Sequence, residues 1–596
     1  MGMMGYADSD HGHGILKDRR STICLDNEKG NHTMSIGQSV SKHRFACVTA
    51  VCAIAAACGS FALGVGRSIW FDEGYTLIVE SQPFARMMDL LKVDVHPPLY
   101  YLLLRMWISV FGSDVMALRA MSCVFCGLTV LMSMVLLRFM AGERHALLAS
   151  PFVVFAPLML RYGYEIRMYS LIPFLSVLGT YLLLRAMRKD GMRPDRRRSG
   201  RGSTALRRIA DRRWWIAYAI VVALGMYSQY MMAFVWMTHV LWLYVALRRH
   251  GHARRFPRML IPYALAVALY IPWIPSAVGQ FASSALPPLK ETMNLSELTS
   301  VFSILTTGFD AKRLTSGMTV ALLAMLAVLI AGSSRLRDTA GSTVRSGMEP
   351  SAAGSVAAAE DRADSGRAAR HLAFFAFVPL SLLLVFAAVR EPFTAPYGFF
   401  TIRYVCPFAP FSYMFLGLLC SRIVLGTRET GAGDFCGKAT RFLRHWSAWL
   451  LSIAVLAGGS IGFAFQGNYI YEQQTTPQTA RTARTVACDA DNAVVASSEF
   501  DYIESLYYFR SCGNYHFLKD GEVSTRGGYA PLHGSPAQVR HIDDLDTERV
   551  TYLVRGGEKI PRNQALPNRR HDSQRIEQGN HVGKAINEHH RISGSP

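Results

Sequence analysis

The sequence is short of charge. Only 18% of its 596 residues are Asp, Glu, Lys or Arg, while 51% are hydrophobic, a balance that excludes an ordinary soluble domain of this length. Acidic residues are the scarcer sign, 43 against 63 Lys and Arg, which leaves a formal net charge of +20. The 11 cysteines form no zinc pattern, because no CxxC pair is followed by a second pair or by paired histidines. Most of them lie in apolar stretches, as buried thiols do. No apolar run begins near enough to Met1 for a short cleavable signal peptide, so residues 1–44 are expected to be a polar cytoplasmic tail before an uncleaved span. No internal repeat relates the two halves.

What the chain has instead is long apolar runs. A bilayer span takes about 20 mostly apolar residues and satisfies its backbone internally, so these runs are expected to be helices. They fall near 45–66, 115–138, 146–161, 168–186, 214–229, 231–248, 259–278, 314–334, 371–390, 403–424 and 446–466, about eleven in all. With the N-terminus inside, alternation puts the basic stretches Arg185–Arg213, Arg249–Arg258, Arg335–Arg370 and Arg422–Arg444 together on the cytoplasmic side. Basic loops beside spans follow the positive-inside rule, so no nucleic-acid partner is expected.

The outer side then receives 67–114, the turn 162–167, 279–313, 391–402 and everything after 467. The domain reading is a membrane domain over 45–466, with a flexible cytoplasmic loop at 335–370, a small extracytoplasmic α/β domain over 467–560 and a disordered tail over 561–596. In the small domain NAVVAS (492–497) and TYLVR (551–555) suit strands and SLYYFR (505–510) suits a helix. Cys488 and Cys512 are its only cysteines, either free or joined on an oxidising exterior.

Three polar clusters, distant in sequence, fall on that outer side. The first loop opens Trp70-Phe71-Asp72-Glu73-Gly74-Tyr75 and closes Asp94-Val95-His96-Pro97-Pro98-Leu99-Tyr100-Tyr101. Carboxylates at the bilayer edge are costly unless paired or used. Asp72 and Glu73 therefore either serve chemistry or cap a surface helix and pair with Arg86 or Lys92. Pro97 and Pro98 can open a helix, which leaves His96 near its N-terminus and facing the loop. The second cluster runs from Arg161 to Tyr169. There the planar fork of Arg167 suits a phosphate, with Glu165 orienting it or binding sugar hydroxyls; the other reading is an interfacial Arg–Glu pair with tyrosine anchors. In the third, Phe400 to Tyr404, Arg403 either snorkels to the headgroups or joins the site. One carboxylate with two arginines suits a substitution that expels a phosphate, the carboxylate acting as general base and the arginines stabilising the departing anion.

The same residues carry a family resemblance. Trp70 through Asp72-Glu73, then Asp94-Val95-His96-Pro97-Pro98-Leu99-Tyr100-Tyr101 through Trp107, Phe111-Gly112 and Leu118-Arg119 resemble the glycosyltransferase family 39 type. That family includes protein O-mannosyltransferases and the transferase that adds aminoarabinose to lipid A. Glu165-Ile166-Arg167-Met168-Tyr169-Ser170-Leu171 resembles its E-x-R-M-Y-S-L element, Ile271-Pro272-Trp273-Ile274-Pro275 its P-W-x-P element and Arg403-Tyr404 its late R-Y element, over roughly residues 45–425. Ser228-Gln229-Tyr230 departs from the family, many members of which have histidine in a T-H-Y-like element, so no role is carried over there.

The resemblance implies an α-helical polytopic membrane protein of the C-type glycosyltransferase architecture, and the charge pattern of its loops is expected to set it in the plasma membrane with its N-terminus cytoplasmic and its C-terminal domain extracytoplasmic. It implies a polyprenyl-phosphate sugar donor, inversion at the anomeric carbon and a glycan, lipid or protein acceptor. By that analogy Asp72 is the general base and Glu73 shapes the catalytic site, while His96, Glu165, Arg167, Tyr169, Arg403 and Tyr404 line the donor and phosphate site. Asp94 and His96 offer two metal-ligating groups, short of a site, so no metal or other cofactor is expected. The competing reading is a carrier or flippase for a lipid-linked sugar, which an internal repeat would favour.

Overall fold

The structure is a computed structural model that describes residues 43–189, 205–282, 305, 352–394, 402–426, 446, 449–450, 452–454, 456–461, 483–486, 491–545, 547, 549–554 and 558–560. Helix α1 (His43–Gly64) leads into a first loop that is itself helical, with α2 (Phe71–Ser81), α3 (Phe84–Val93) and α4 (Leu99–Phe111). Pro98 stands at the N-cap of α4, as the proline pair predicts. The Asp114 side chain then accepts from Met116 N at 2.9 Å and opens α5 (Val115–Ala141), whose 27 residues are mostly apolar, with Arg119 and Arg138 the charged exceptions.

Beyond α5 come α6 (Glu143–Val154) and α7 (Pro157–Gly163), bent by 57° to one another. Two prolines account for the break: Pro151 cannot supply a ladder bond inside α6, and Pro157 starts α7 after Ala156 has turned extended at ψ 101°. The bend delivers the chain into the turn that carries Glu165 and Arg167. From there run α8 (Leu171–Lys189), α9 (Ala205–Ser228), α10 (Met232–Arg249), α11 (Ala253–Phe281), α12 (Ala352–Thr394) and α13 (Ala409–Gly426).

Among the described residues five helices are long and apolar enough to cross a membrane, namely α1, α5, α8, α11 and the Asp361–Val389 part of α12, or six with the bent pair α6 and α7 as one span. Helices α9, α10 and α13 coincide with further expected spans and pack into the same core. The expected span at 314–334 lies outside the described residues, and that at 446–466 is represented by the short apolar helix Ser452–Ile461. One expectation is corrected. Residues 352–370, read as part of a flexible loop, form the opening turns of α12, because this Ala-rich stretch with interspersed Arg and Glu is strongly helix-forming. The rest of that loop, 335–351, is outside the described residues.

The C-terminal region contains a five-stranded sheet in the order β3-β2-β1-β4-β5, built from β1 (Asn492–Ala496), β2 (Tyr515–Leu518), β3 (Gln538–Val539), β4 (Arg549–Val554) and β5 (Glu558–Ile560). The first four of that order run parallel and β5 is antiparallel to β4. Ala493–Ala496 of the central strand are fully buried, which is why NAVVA reads as an unbroken apolar run rather than an alternating one. Helix α14 (Glu499–Ser505) follows β1, with the Ser498 hydroxyl accepting from Asp501 N at 3.2 Å as its cap. The expected SLYYFR helix is therefore misplaced: α14 ends at Ser505 and 506–511 are turns. Cys512 is disulfide-bonded; Cys488 and the tail 561–596 lie outside the described residues.

This sheet region is not a separate bead. Val494, Tyr502, Ile503, Tyr515 and Phe517 share one apolar core with Tyr75, Val79, Met87, Leu90 and Leu91 of the first loop. The ring of Phe71 stacks on Phe500 at 4.8 Å and 7°, Tyr529 meets it edge-on at 5.5 Å, and Ile69 N donates to the Tyr508 hydroxyl at 2.8 Å. Gly74 faces α14 so closely that a Cβ there would overlap the carbonyl oxygen of Ile503.

Candidate active site

Helix α2 has two faces with opposite roles, set by two adjacent carboxylates. Glu73 turns inward. Its Oε2 accepts from Arg119 Nη2 at 3.0 Å and from Trp70 N at 3.4 Å, and its Oε1 accepts from Ile166 N at 3.0 Å. The pair is sealed, with side-chain exposures of 1% for Glu73 and 0% for Arg119. Arg119 also donates to the carbonyls of Gly64, Arg67 and Ser68, so one buried guanidinium ties the end of α1 to α2. Neither Arg86 nor Lys92 is its partner: Lys92 pairs with Asp89 at 2.9 Å.

Asp72 turns the other way and keeps 18% of its side chain exposed. Its Oδ2 accepts from Arg403 Nη1 and stands 3.9 Å from Arg167 Nη2. Arg167 is held in turn by the Asp72 carbonyl at 3.5 Å, the Thr76 hydroxyl at 3.0 Å, the Tyr101 hydroxyl at 3.2 Å and His96 Nε2 at 3.0 Å. A guanidinium only donates, so Nε2 of His96 accepts and Nδ1 carries the proton, which it donates to Asp94 Oδ2 at 3.0 Å. Burial, reinforced by the positive charge of Arg167, lowers the His96 pKa and keeps the ring neutral. For Asp72, burial acts to raise the pKa, but the positive charges of Arg403 and Arg167 outweigh it and hold the carboxyl below its usual range.

Arg403 reaches this centre from the turn Ile402–Val405 ahead of α13, donates to the Tyr169 hydroxyl at 3.4 Å and lies over the rings of Trp70 and Tyr169 at 5.6 and 6.0 Å. Tyr169 is in turn met edge-on by Tyr162 at 5.3 Å. Glu165 is buried behind the turn, where burial pushes its carboxyl up to about 8 against the opposing charge of Arg161. Tyr404 packs against the membrane core.

The structure thus brings Asp72, His96, Arg167, Tyr169 and Arg403 together, and places Glu73, Glu165 and Tyr404 around them with their side chains engaged elsewhere. Residue reasoning missed Thr76, Tyr101 and the grip of Arg119. Thr76 and Tyr101 carry no signal of their own, whereas an arginine within the apolar run of α5 is costly in lipid and marks a partner to be sought. Gln229, at the family departure, is buried with its Oε1 unpaired, and the neighbouring Tyr230 hydroxyl accepts from Trp273 Nε1 at 3.1 Å and donates to Gln280. No group of three or more His, Cys, Asp or Glu suited to a metal occurs among the described residues.

Residues 95–193, which hold His96, Arg119, Glu165, Arg167 and Tyr169, match the family model described as dolichyl-phosphate-mannose-protein mannosyltransferase. Among solved structures, the chain is similar to ArnT from Cupriavidus metallidurans in the apo state, at 12% identity and a TM-score of 0.48 over 86% of this chain and 92% of that one. It is similar to the same protein bound to undecaprenyl phosphate, at 13% identity and a TM-score of 0.46 over 80% and 86% of the two chains. The Archaeoglobus fulgidus oligosaccharyltransferase follows at 13% identity and a TM-score of 0.37 over 77% and 61%. No curated protein matches the sequence.

Proposed function

We propose that the protein transfers a sugar from a polyprenyl-phosphate donor to an acceptor hydroxyl on a glycan, lipid or protein, with inversion and with Asp72 as the general base. The observation that carries this reading is the contrast between neighbours: Glu73 is sealed at 1% exposure against Arg119, whereas Asp72 at 18% remains open beside two arginines. In this mechanism the donor phosphate draws Arg403 and Arg167 from Asp72, and the relieved carboxylate accepts the proton of the acceptor hydroxyl. The acceptor oxygen bonds to the anomeric carbon as the bond from that carbon to the phosphate oxygen breaks, and the electron pair leaves with the phosphate. Arg403 and Arg167 stabilise the charge that develops there. Neutral His96, fixed by Asp94, positions Arg167, and Glu73 and Arg119 hold α2 against the 164–170 turn.

The active face is extracytoplasmic in this reading, with the N-terminus cytoplasmic, a membrane domain over 45–466 and an extracytoplasmic domain over 467–560. Support comes from the helix ends remote from Asp72, which carry Arg185, Arg188, Arg213, Arg248 and Arg249. Purified full-length protein given a panel of polyprenyl-phosphate sugars and acceptor extracts is expected to release free polyprenyl phosphate. Binding without turnover across the whole panel would favour a carrier instead.

A further inference from the structure

At the ends of α5, α8 and α9 remote from Asp72, three arginines gather around three aromatic rings. The Arg185 guanidinium lies 4.8 Å from the centroid of Trp214, 5.8 Å from Tyr181 and 6.0 Å from Phe139. Arg188 lies 5.2 Å from the same Phe139 ring, and Arg213 lies 5.2 Å from the same Trp214 ring. Among the described residues none of the three has a carboxylate partner, and Nε of Arg185 is buried without a hydrogen bond. Arg138 on the same face is different, since it pairs with Glu143 at 2.9 Å.

Like charges this close repel unless an anion joins them. The rings immobilise the guanidinium planes by cation–π contact and leave N–H groups to meet a phosphate in the forked manner that arginine favours. From Leu171 to Arg188 the helix climbs roughly 26 Å at about 1.5 Å per residue, close to the ~30 Å of a hydrocarbon core, which puts the patch near the opposite bilayer boundary from the Arg167 turn, toward the lipid headgroups. Below it, one and two turns along α9 from Arg213, Ile216 and Ile220 are 50% and 44% exposed and continue the same helix face into the hydrocarbon.

We propose that Arg185, Arg188 and Arg213 bind the phosphate of an anionic phospholipid in the leaflet opposite the transfer site, its acyl chain lying along Ile216 and Ile220. Headgroup phosphate and free phosphate share the chemistry that arginine reads; the apolar strip beneath the patch selects the lipid. Such basic pockets between helices are where anionic headgroups are held, each arginine adding to the attraction.

The test is a titration of the full-length protein in detergent, followed by native mass spectrometry, with phosphatidylglycerol, phosphatidylcholine, inorganic phosphate and undecaprenyl phosphate as separate probes. Phosphatidylglycerol is expected to bind about tenfold tighter than phosphatidylcholine, and the variant R185Q/R188Q/R213Q is expected to lose that preference while its carrier-lipid turnover in neutral-lipid vesicles is unchanged. Equal phosphatidylglycerol affinity in both chains overturns the proposal, as does displacement of the lipid by millimolar inorganic phosphate or a preference of the patch for undecaprenyl phosphate. A second measurement does not depend on the variant's folding: brominated phosphatidylglycerol is expected to quench the fluorescence component that Trp214→Phe removes, and lack of that quenching overturns the site.

Discussion

Arg403 donates to the carboxylate of Asp72 although 331 positions separate them in sequence. The contact joins the first loop to the entry of α13, and it occupies the group that the mechanism needs free. Removing the carboxylate therefore has two opposed effects. Asp72→Asn is expected to slow transfer about a hundredfold or more, the typical worth of a general base, while undecaprenyl phosphate binds several-fold tighter because Arg403 and Arg167 are released to it. Turnover assays together with lipid titration check both; equal turnover would remove Asp72 from its role.

Glu165 titrates in the opposite direction from Asp72. Its folded pKa of about 8 stands above the model-compound value of 4.5, so its contribution to stability is fully present below pH 4.5 and is lost as pH rises through 8. Thermal unfolding of Glu165→Gln against the unaltered chain is expected to give a Tm advantage to the variant that widens by about 2 °C or more between pH 5 and 9. A constant difference over that range would mean that Glu165 is ionised throughout.

Breaking the Glu73–Arg119 pair leaves a buried charge uncompensated. Glu73→Gln and Arg119→Met are each expected to cost about 3 kcal/mol or more, and the double variant less than their sum, in a double-mutant cycle followed by chemical or thermal unfolding. Strict additivity would show that the pair is not coupled.

A side chain at Gly74 must displace the Ile503 carbonyl. Gly74→Val is expected to destabilise the contact of α14 with α2 by about 1–3 kcal/mol, seen as faster proteolysis of the C-terminal region, and to lower turnover with little change in donor affinity. Phe500→Ala is expected to act in the same direction and Phe500→Tyr to preserve activity, since stacking on Phe71 is retained.

Much of this organisation is legible in the sequence because lipid imposes strict rules. Long apolar runs have to be helices, Pro98 marks the start of α4, and the charged clusters stand out against an uncharged background. The division of labour within Asp72-Glu73 is not legible, since adjacent carboxylates on a helix point about 100° apart and only the positions of Arg119 and Arg403 decide which one is sealed. The opening of α12 was hidden for a different reason: Ala352–Arg370 has helix propensity but no apolar stripe, and charge there resembles a linker. The packing of α14 on α2 is invisible too, because Phe71, Gly74, Phe500 and Ile503 have ordinary neighbours and meet only in three dimensions.

That last contact orders events during synthesis. Phe500, Ile503 and Tyr529 leave the ribosome long after Phe71 and Gly74, the residues of α2 on which they press. A nascent bundle with every preceding helix inserted still carries Asp72 on a helix held from one side only. Completion of the final segment is then the step that clamps α2 from both sides, so a chain truncated ahead of the sheet keeps its apolar helices but leaves Asp72 on a loosely held one.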